Sequence, residues 1–348
     1  MACGAAVRPH VGFLSNQERR QTMKQYVRNL VAAIVCFLFV VLLNFLLPRL
    51  LPGNPIAYLS GFAEEDLTSR QIEYYTEALH LNEPIIRQFD YYLRSLTDGT
   101  LGYSFKKKMT VSILIEERIG ATLQITVPSL ILSTVLGLIW GLLAGYGKNR
   151  LFDRLSCTFH IFLNVVPGFL TGLLFIIYFG FQNRLFPYTG LSSRGMVPGE
   201  PGFLLDRVQH LVLPVLTLTA GVLPSRFLLI RNTAATVTSE KYVLYAKERG
   251  FSSARIRYHY ILKNIIQPFL TMLGMSVSLC IGGSLIIENI FSIKGMGQLL
   301  TDAVYTLDYP LMQGILFVIT LMTTLSIVVT DLLCLLLDPR VYRGSRHG

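Results

Sequence analysis

The chain has 348 residues, of which 52% are apolar and only 15% are charged, and its formal net charge is +10. Because a soluble domain usually carries roughly a quarter charged residues, this composition excludes an ordinary water-soluble protein and favours one that a lipid bilayer surrounds. The basic residues lie in short segments between apolar runs and form no basic stripe with interleaved aromatic residues. Nucleic acid is therefore not expected as a partner.

Six apolar stretches contain no Asp, Glu, Lys or Arg and are long enough to cross a bilayer, which takes roughly 20 helical residues. They are Asn29–Pro48, Thr122–Tyr146, Leu155–Asn183, Val208–Ser225, Asn264–Ile287 and Tyr309–Thr330. A segment in lipid must satisfy its backbone polar groups internally, so each stretch is predicted to be helical. The predicted fold class is all-α, an integral membrane protein with six transmembrane helices.

The charges of the connecting segments predict the orientation. Segment 226–263 carries eight Lys and Arg residues against two Glu residues, and 147–154 is also basic, whereas 288–308 has one Lys against three acidic residues. By the positive-inside rule the first two segments face the cytoplasm, and with an even number of spans both termini lie there too. The long segment between the first two spans is then extracytoplasmic.

These assignments divide the chain along its length. The expected parts are a disordered N-terminal extension at 1–22, the first transmembrane helix at 23–51, an extracytoplasmic helical loop at 52–121, a membrane core at 122–338 and a cytoplasmic tail at 339–348. Within the core, we expect the cytoplasmic loop 232–264 to carry the function.

Helix signals divide the extracytoplasmic loop. Thr68 and Gln71 have the spacing of a capping box ahead of a first helix, and Pro84 suits the first turn of a second helix. The pair Asp98-Gly99 predicts a turn that ends this second helix.

Beyond the fifth span, Glu288 is interpreted either as a gate residue or as a solvated helix end, and we favour the solvated end.

The cytoplasmic segment 239–268 is too polar to enter lipid and too apolar to be a plain linker. Tyr242 and Ala246 group at helical spacing, Gly250 is predicted to break this helix, and Ser252 can cap a second helix that contains Ile256. The segment therefore predicts a helix–turn–helix outside the membrane. A short exposed amphipathic helix of this kind suits a groove in a partner protein.

This segment resembles the "EAA" loop of the permeases of binding-protein-dependent ABC importers, whose pattern ends in Ala-x-x-x-Gly, here Ala246 and Gly250. It is most similar to the B-type subunit of the dipeptide/oligopeptide/nickel family, with Tyr242-Val243 and Lys247 as further matches. Leu244 departs from the pattern, because it holds the acidic position that names the loop. Further matches follow in the family's order over roughly residues 24–343: Leu51–Pro55, Gly99–Ser104, Pro167–Phe169, His210–Pro214, Glu288–Phe291, Gly295–Leu299, Asp308–Pro310 and Leu337–Arg340.

The resemblance implies the MetI-like permease fold and a location in the plasma membrane of a prokaryote. It also implies four kinds of partner: a second related permease subunit, two cytoplasmic ATPases that dock on the permeases, an external solute-binding protein and the lipid bilayer. The residues expected to couple the chain to its ATPases are Tyr242, Ala246, Lys247, Gly250 and Ile256. Peptides are the expected cargo, with nickel or a metal–chelator complex as the alternative.

The chain itself is expected to be non-catalytic and to hold no cofactor, since ATP and magnesium would be used by the partner ATPases. Gly147-Lys148-Asn149 lacks the glycine spacing and the Ser or Thr of a phosphate-binding loop, and no nucleophile or metal cluster stands out. An ion-coupled secondary transporter is a weaker alternative, because such proteins often show inverted repeats and intramembrane carboxylates.

Polar residues inside the spans are candidates for the translocation path, since they usually face a partner or water. The candidates are Gln124, Asn164, Pro167, Thr217 and Ser276. The alternative for Thr217 and Ser276 is a hydrogen bond back to their own helix. For Asn164, just before the Pro167-Gly168 break, a role in lining the path and a role in helix packing are weighed equally. His160, one turn after Cys157, is interpreted as a packing residue in preference to a metal ligand.

Overall fold

The computed structural model describes residues 16–50, 56–57, 67–147 and 149–337. Its helices are α1 (Asn16–Leu46), α2 (Ser69–Ala78), α3 (Ile85–Thr97), α4 (Val111–Tyr146), α5 (Arg150–Val165), α6 (Gly168–Phe175), α7 (Phe203–Thr238), α8 (Lys241–Glu248), α9 (Leu262–Ile290), α10 (Met296–Tyr305) and α11 (Tyr309–Leu337). A 3₁₀ turn, Leu47–Leu50, follows α1, and π-type turns extend α6 over Ile176–Gln182 and precede α9 over Ile256–Ile261. Two short antiparallel strands, β1 (Tyr103–Ser104) and β2 (Met109–Thr110), pair Tyr103 with Thr110.

The ends of the chain differ from the predicted division or lie outside it. Helix α1 begins at Asn16, so residues 16–22, which the sequence placed in the N-terminal extension, are helical. The remainder of that extension and the tail at 339–348 lie outside the described residues.

Within the described ranges, four helices are long and apolar enough to cross a membrane by themselves: Leu30–Leu50, Val111–Tyr146, Phe203–Thr238 and Tyr309–Cys334. Two bent pairs reach this length together, Arg150–Val165 with Gly168–Gln182 and Pro268–Val277 with Cys280–Ile290. The described residues therefore contain four to six candidate membrane spans, and the predicted six would require each bent pair to form one span.

The third predicted span is not a single helix, because α5 and the α6 segment meet at 98°. Val166 and Pro167 have extended ψ angles of 121° and 134° at the junction. Proline lacks the N–H that would continue the hydrogen-bond ladder, and its ring disfavours helical geometry in the residue before it. The local sequence therefore sets the position of this bend.

Helices α4 and α7 approach closely along a row of glycines on α4. A Cβ atom added at Gly137 would lie 2.9 Å from the Cβ of Arg226, and one at Gly141 would lie 2.9 Å from the Cβ of Ile230. At Gly145 the nearest atom would be the Arg231 carbonyl oxygen. Small residues spaced four apart let two membrane helices come into backbone contact. This pair forms the centre of the helical core.

The segment between α1 and α4 follows the predicted helix signals. The capping box is confirmed, since the Thr68 Oγ accepts from the Gln71 N–H at 3.4 Å and the Gln71 side chain accepts from the Thr68 N–H at 3.0 Å. Helix α3 starts directly after Pro84 and ends at Asp98, with Gly99 at φ +72°. The β1–β2 hairpin that follows was not predicted.

The prediction that Glu288 is a solvated helix end is wrong. Its side chain is fully buried and accepts hydrogen bonds from Thr122 Oγ1 at 2.7 Å and from the Gly297 N–H at 2.6 Å. The Thr122 hydroxyl in turn accepts from the Met296 N–H at 2.9 Å. A carboxylate is favoured there because the first N–H groups of α10 have no partner inside their own helix. Glu288 thus joins α9, α4 and α10.

Candidate functional site

The predicted helix–turn–helix is confirmed between α7 and α9. Helix α8 ends in a Schellman motif, in which the Gly250 N–H donates to the Lys247 carbonyl at 2.9 Å and the Phe251 N–H donates to the Ala246 carbonyl at 3.2 Å. Gly250 has φ +75°, a conformation that costs glycine nothing and other residues about 1–2 kcal/mol. The Ser252 hydroxyl then caps the next helical turn by accepting from the Arg255 N–H at 3.3 Å.

One face of this segment is buried in the membrane core. Val243, Ala246 and Ile256 are 0%, 3% and 1% exposed. They pack in one apolar cluster with residues of α4, α7 and α9, among them Ile230 and Ile265. The predicted coupling residues Ala246 and Ile256 therefore form the base that fixes α8 to the spans.

The other face of α8 is open. Tyr242 is 41% exposed and Tyr245 is 63% exposed, and Lys247 and Gly250 are exposed as well. A shallow groove of about 440 Å³ lies between Tyr242, Tyr245 and Phe251. The structure thus brings the five predicted coupling residues into one segment but divides them between a buried base and an exposed face.

Cation–π contacts attach this segment to the end of α4. Lys247 Nζ lies 5.5 Å from the centre of the Tyr146 ring, and the Arg257 guanidinium lies 5.9 Å from it. Contacts of this kind contribute about 0.5–1 kcal/mol at exposed sites. The turn after α4 and the α8 segment consequently lie at the same end of the spans.

The structure places the five path candidates in different environments. Gln124 accepts a hydrogen bond from Arg207 Nε at 2.8 Å. Thr217 and Ser276 are buried and donate to carbonyls of their own helices, Leu213 at 2.8 Å and Met272 at 2.6 Å. Asn164 and Pro167 are exposed at the bend between α5 and α6.

Sequence reasoning missed an ion pair that links the bent span to α7. Arg231 Nε donates to Asp153 Oδ1 at 2.8 Å, and a second bond joins Nη2 to Oδ2. Both residues lie in the basic segments that were used to predict the orientation. Their opposite signs at the same end of neighbouring spans were a usable signal.

His160 has the packing role that the sequence favoured. Its imidazole is fully buried, Nδ1 lies 2.8 Å from the Ser156 carbonyl, and the ring stacks on Phe227 at 3.9 Å. The described residues contain no group of three His, Cys, Asp or Glu side chains that could hold a metal ion.

The described residues thus form a helical core of long apolar elements that presents a short helix–turn–helix at one end. The chain belongs to the family of binding-protein-dependent transport system inner membrane components, since the sequence model of that family matches residues 137–343, more than half of the chain. It is 33% identical over 317 residues to the "Probable peptide ABC transporter permease protein" of Sinorhizobium fredii, covering 90% of this chain and 98% of the relative.

It is also 30% identical over 320 residues to the glutathione transport system permease protein of Escherichia coli strain K12, covering 92% of this chain and 99% of that protein. The family predicted from the motifs is thereby confirmed. The protein is a multi-pass membrane permease of the ABC-transporter type.

Proposed function

We propose that this permease forms half of the translocation path of an ATP-driven peptide importer. A second related permease would supply the other half, two ATPase subunits would dock at the α8 end, and an external solute-binding protein would deliver cargo at the opposite end. The observation that carries this proposal is α8 itself, whose exposed face bears Tyr242 and Tyr245 while its other face is fixed in the core. An exposed aromatic face on a rigid base suits a groove in a partner.

The charges at the two ends support placing α8 in the cytoplasm, together with both termini. Lys247, Arg249, Arg255 and Arg257 surround the turn after α8, with Glu248 as their acidic neighbour. At the other end, the connection from α9 to α11 carries Asp302 and Asp308. Short cytoplasmic connections of membrane proteins are enriched in Lys and Arg.

The packing of α8 supports a mechanism for coupling. Its base contacts Ile230 of α7 and Ile265 of α9, both fully buried, so a displacement of α8 by closing ATPases would move the two helices with it. Packed interiors resist compression and transmit such shifts. Thr217 and Ser276 are buried and bonded to their own helices, so they would move with α7 and α9 in the same step. This movement of the two helices would open the path alternately to each side.

The names of the relatives favour a peptide as cargo. One relative is named for peptide transport and the other for glutathione, which is itself a tripeptide. Nickel or a metal–chelator complex remains the alternative cargo for the same architecture, without a relative among these to favour it.

Replacement of Tyr245 by Ala tests the docking role of α8. The side chain is 63% exposed, so its loss should leave the stability of the isolated permease within about 0.5 kcal/mol. If Tyr245 anchors an ATPase, the loss should cost about 2 kcal/mol of docking free energy, close to thirtyfold in affinity. The complete complex in lipid vesicles should then lose most ATP-dependent dipeptide uptake.

Tyr74→Ala is the matched control, because Tyr74 is 60% exposed and lies in α2, away from the α8 end. Its uptake and ATPase affinity should equal those of the wild type. Wild-type ATPase affinity in the Tyr245→Ala variant would refute the docking role of α8. Full uptake of nickel without uptake of any dipeptide would refute the assignment of peptides as the cargo.

A further inference from the structure

A small cavity lies at the end of the spans opposite α8, between the end of the first span, the α2–α3 segment and the first turn of α11. Its volume is about 190 Å³, and Arg49, His80, Tyr92 and Tyr309 are among the residues that line it. Pockets for drug-sized ligands usually measure about 300–1,000 Å³. The cavity therefore suits a small chemical group and is too small for a peptide.

The guanidinium of Arg49 supplies a positive charge, and its hydrogen-bond partners among the described residues are neutral. It donates to the Gln88 side-chain oxygen at 2.9 and 3.2 Å and to the Phe45 carbonyl at 2.7 Å, and it lies 3.7 Å from the centre of the Phe45 ring. None of the described residues that line the cavity is acidic. A guanidinium has five N–H donors, so two remain available for an anion.

Two further donors line the same cavity. Tyr92 is 6% exposed, and its hydroxyl has no hydrogen-bond partner among the described residues. His80 stacks on Tyr91 at 3.9 Å and has φ +54°, in the left-handed region that residues other than glycine rarely adopt. An unsatisfied buried hydroxyl and local backbone strain both cost free energy, and such features concentrate at binding sites.

The surroundings place this cavity beside the lipid. Arg49 lies at the end of the first span, directly after its uncharged stretch, and its neighbours Leu47 and Leu50 are 49% and 78% exposed. Helix α3 begins with Ile85 and Ile86, which are 60% and 83% exposed. Exposed apolar side chains around an arginine at the end of a span are typical of the boundary between headgroups and acyl chains.

We propose that this cavity binds the phosphodiester of a phospholipid headgroup. Arg49 would pair with the phosphate oxygens, Tyr92 and His80 would donate to them, and the acyl chains would lie along Leu47 and Ile86. A guanidinium matches the geometry of a phosphate better than any other side chain does. The bound lipid would join α3 to the outer end of the first span, and the inference is independent of the transported cargo.

Native mass spectrometry of the full-length permease in detergent, titrated with short-chain phosphatidylglycerol, tests the site. Arg49→Gln should weaken the tightest lipid binding about tenfold or more, since charge-assisted hydrogen bonds to phosphate are the strong ones. Tyr92→Phe keeps the ring that packs on Phe45 and should weaken binding by a smaller factor. Wild-type lipid affinity in Arg49→Gln would overturn the proposal.

Arg87→Gln is the matched control, because the Arg87 side chain on the same helix α3 is 70% exposed and pairs with Glu83 at 3.3 Å. It should bind lipid as the wild type does, and equal losses in both arginine variants would show non-specific attraction and overturn the site. Titration with inorganic phosphate separates the two sources of the anion. If free phosphate binds as tightly as the lipid and displaces it, the cavity is a free-anion site and the lipid assignment is wrong.

Discussion

Gly141 offers a direct test of how the core of this permease is held together. A methyl group there would lie 2.9 Å from both Cβ and Cγ2 of Ile230 and 3.1 Å from the Phe227 carbonyl oxygen. Ile230 and Phe227 are fully buried, so neither can move aside without displacing its own neighbours. Overpacking of this kind costs about 1–3 kcal/mol.

Gly120→Ala is the control for the Gly141→Ala variant. Gly120 lies on the same helix α4, and a Cβ atom there would meet nothing within 4 Å. Both substitutions gain the same helix propensity, about 1 kcal/mol for alanine over glycine. The difference in unfolding free energy between the two variants therefore isolates the packing cost and should be about 1–3 kcal/mol, with Gly141→Ala the less stable.

The single tryptophan of the chain reports this contact. Trp140 lies next to Gly141, donates to Ser156 Oγ on α5 at 2.9 Å and packs edge-on against Phe227 of α7 at 6.2 Å. Its fluorescence should change when α4 separates from α5 and α7 during unfolding in detergent. Equal unfolding midpoints for Gly141→Ala and Gly120→Ala would refute the inference that close contact at this row holds α4 on α7.

Three other predictions concern a buried residue pair and two single positions. In a double-mutant cycle in detergent, Glu288→Gln and Thr122→Val should each lower the unfolding free energy by about 1–3 kcal/mol and show a coupling above about 0.5 kcal/mol. Thr122→Val removes one donor to Glu288, and Gln offers one acceptor oxygen to the two donors, the Thr122 hydroxyl and the Gly297 N–H. Additive effects would contradict this coupling. Gly250→Val should lower uptake and destabilise the turn after α8 by about 1–2 kcal/mol, because valine strains at positive φ. Gly250→Asn should retain uptake because asparagine tolerates positive φ. Equal uptake by both variants would refute the role of φ. Burial raises the pKa of the Asp308 carboxyl, although the hydrogen bond from Ser104 opposes this shift. The contribution of Asp308 to stability is therefore present below the unfolded pKa, about 3.9, and is lost as pH rises through the folded pKa. Asp308→Asn should therefore reduce the loss of melting temperature between about pH 4 and about pH 7. An unchanged pH profile would exclude this contribution.

Features that depend on neighbours within a few residues could be predicted from the sequence. The capping box at Thr68, the turn at Gly250 and the cap at Ser252 all formed as predicted. Each is decided by side chain and backbone groups no more than five residues apart. The bend at Pro167 belongs with them, although its angle of 98° did not follow from the sequence.

Glu288 shows where this reasoning failed. Its position at the end of an apolar run suggested water, but its partners come from Thr122, far away in sequence, and from the start of α10. A carboxylate is solvated or buried according to which elements pack around it, and local pattern carries no such information.

The sequence by itself determined that the chain is a helical membrane protein and which family it belongs to, because hydrophobic length and ordered motifs are properties of the linear chain. Only the tertiary structure decided which face of α8 and of the turn after it is buried. Ala246 and Ile256 are buried against Ile230 and Ile265, whereas Tyr242 and Lys247 remain exposed. Helical spacing identifies residues that share a face, but the face that becomes buried is set by the helices that pack against it.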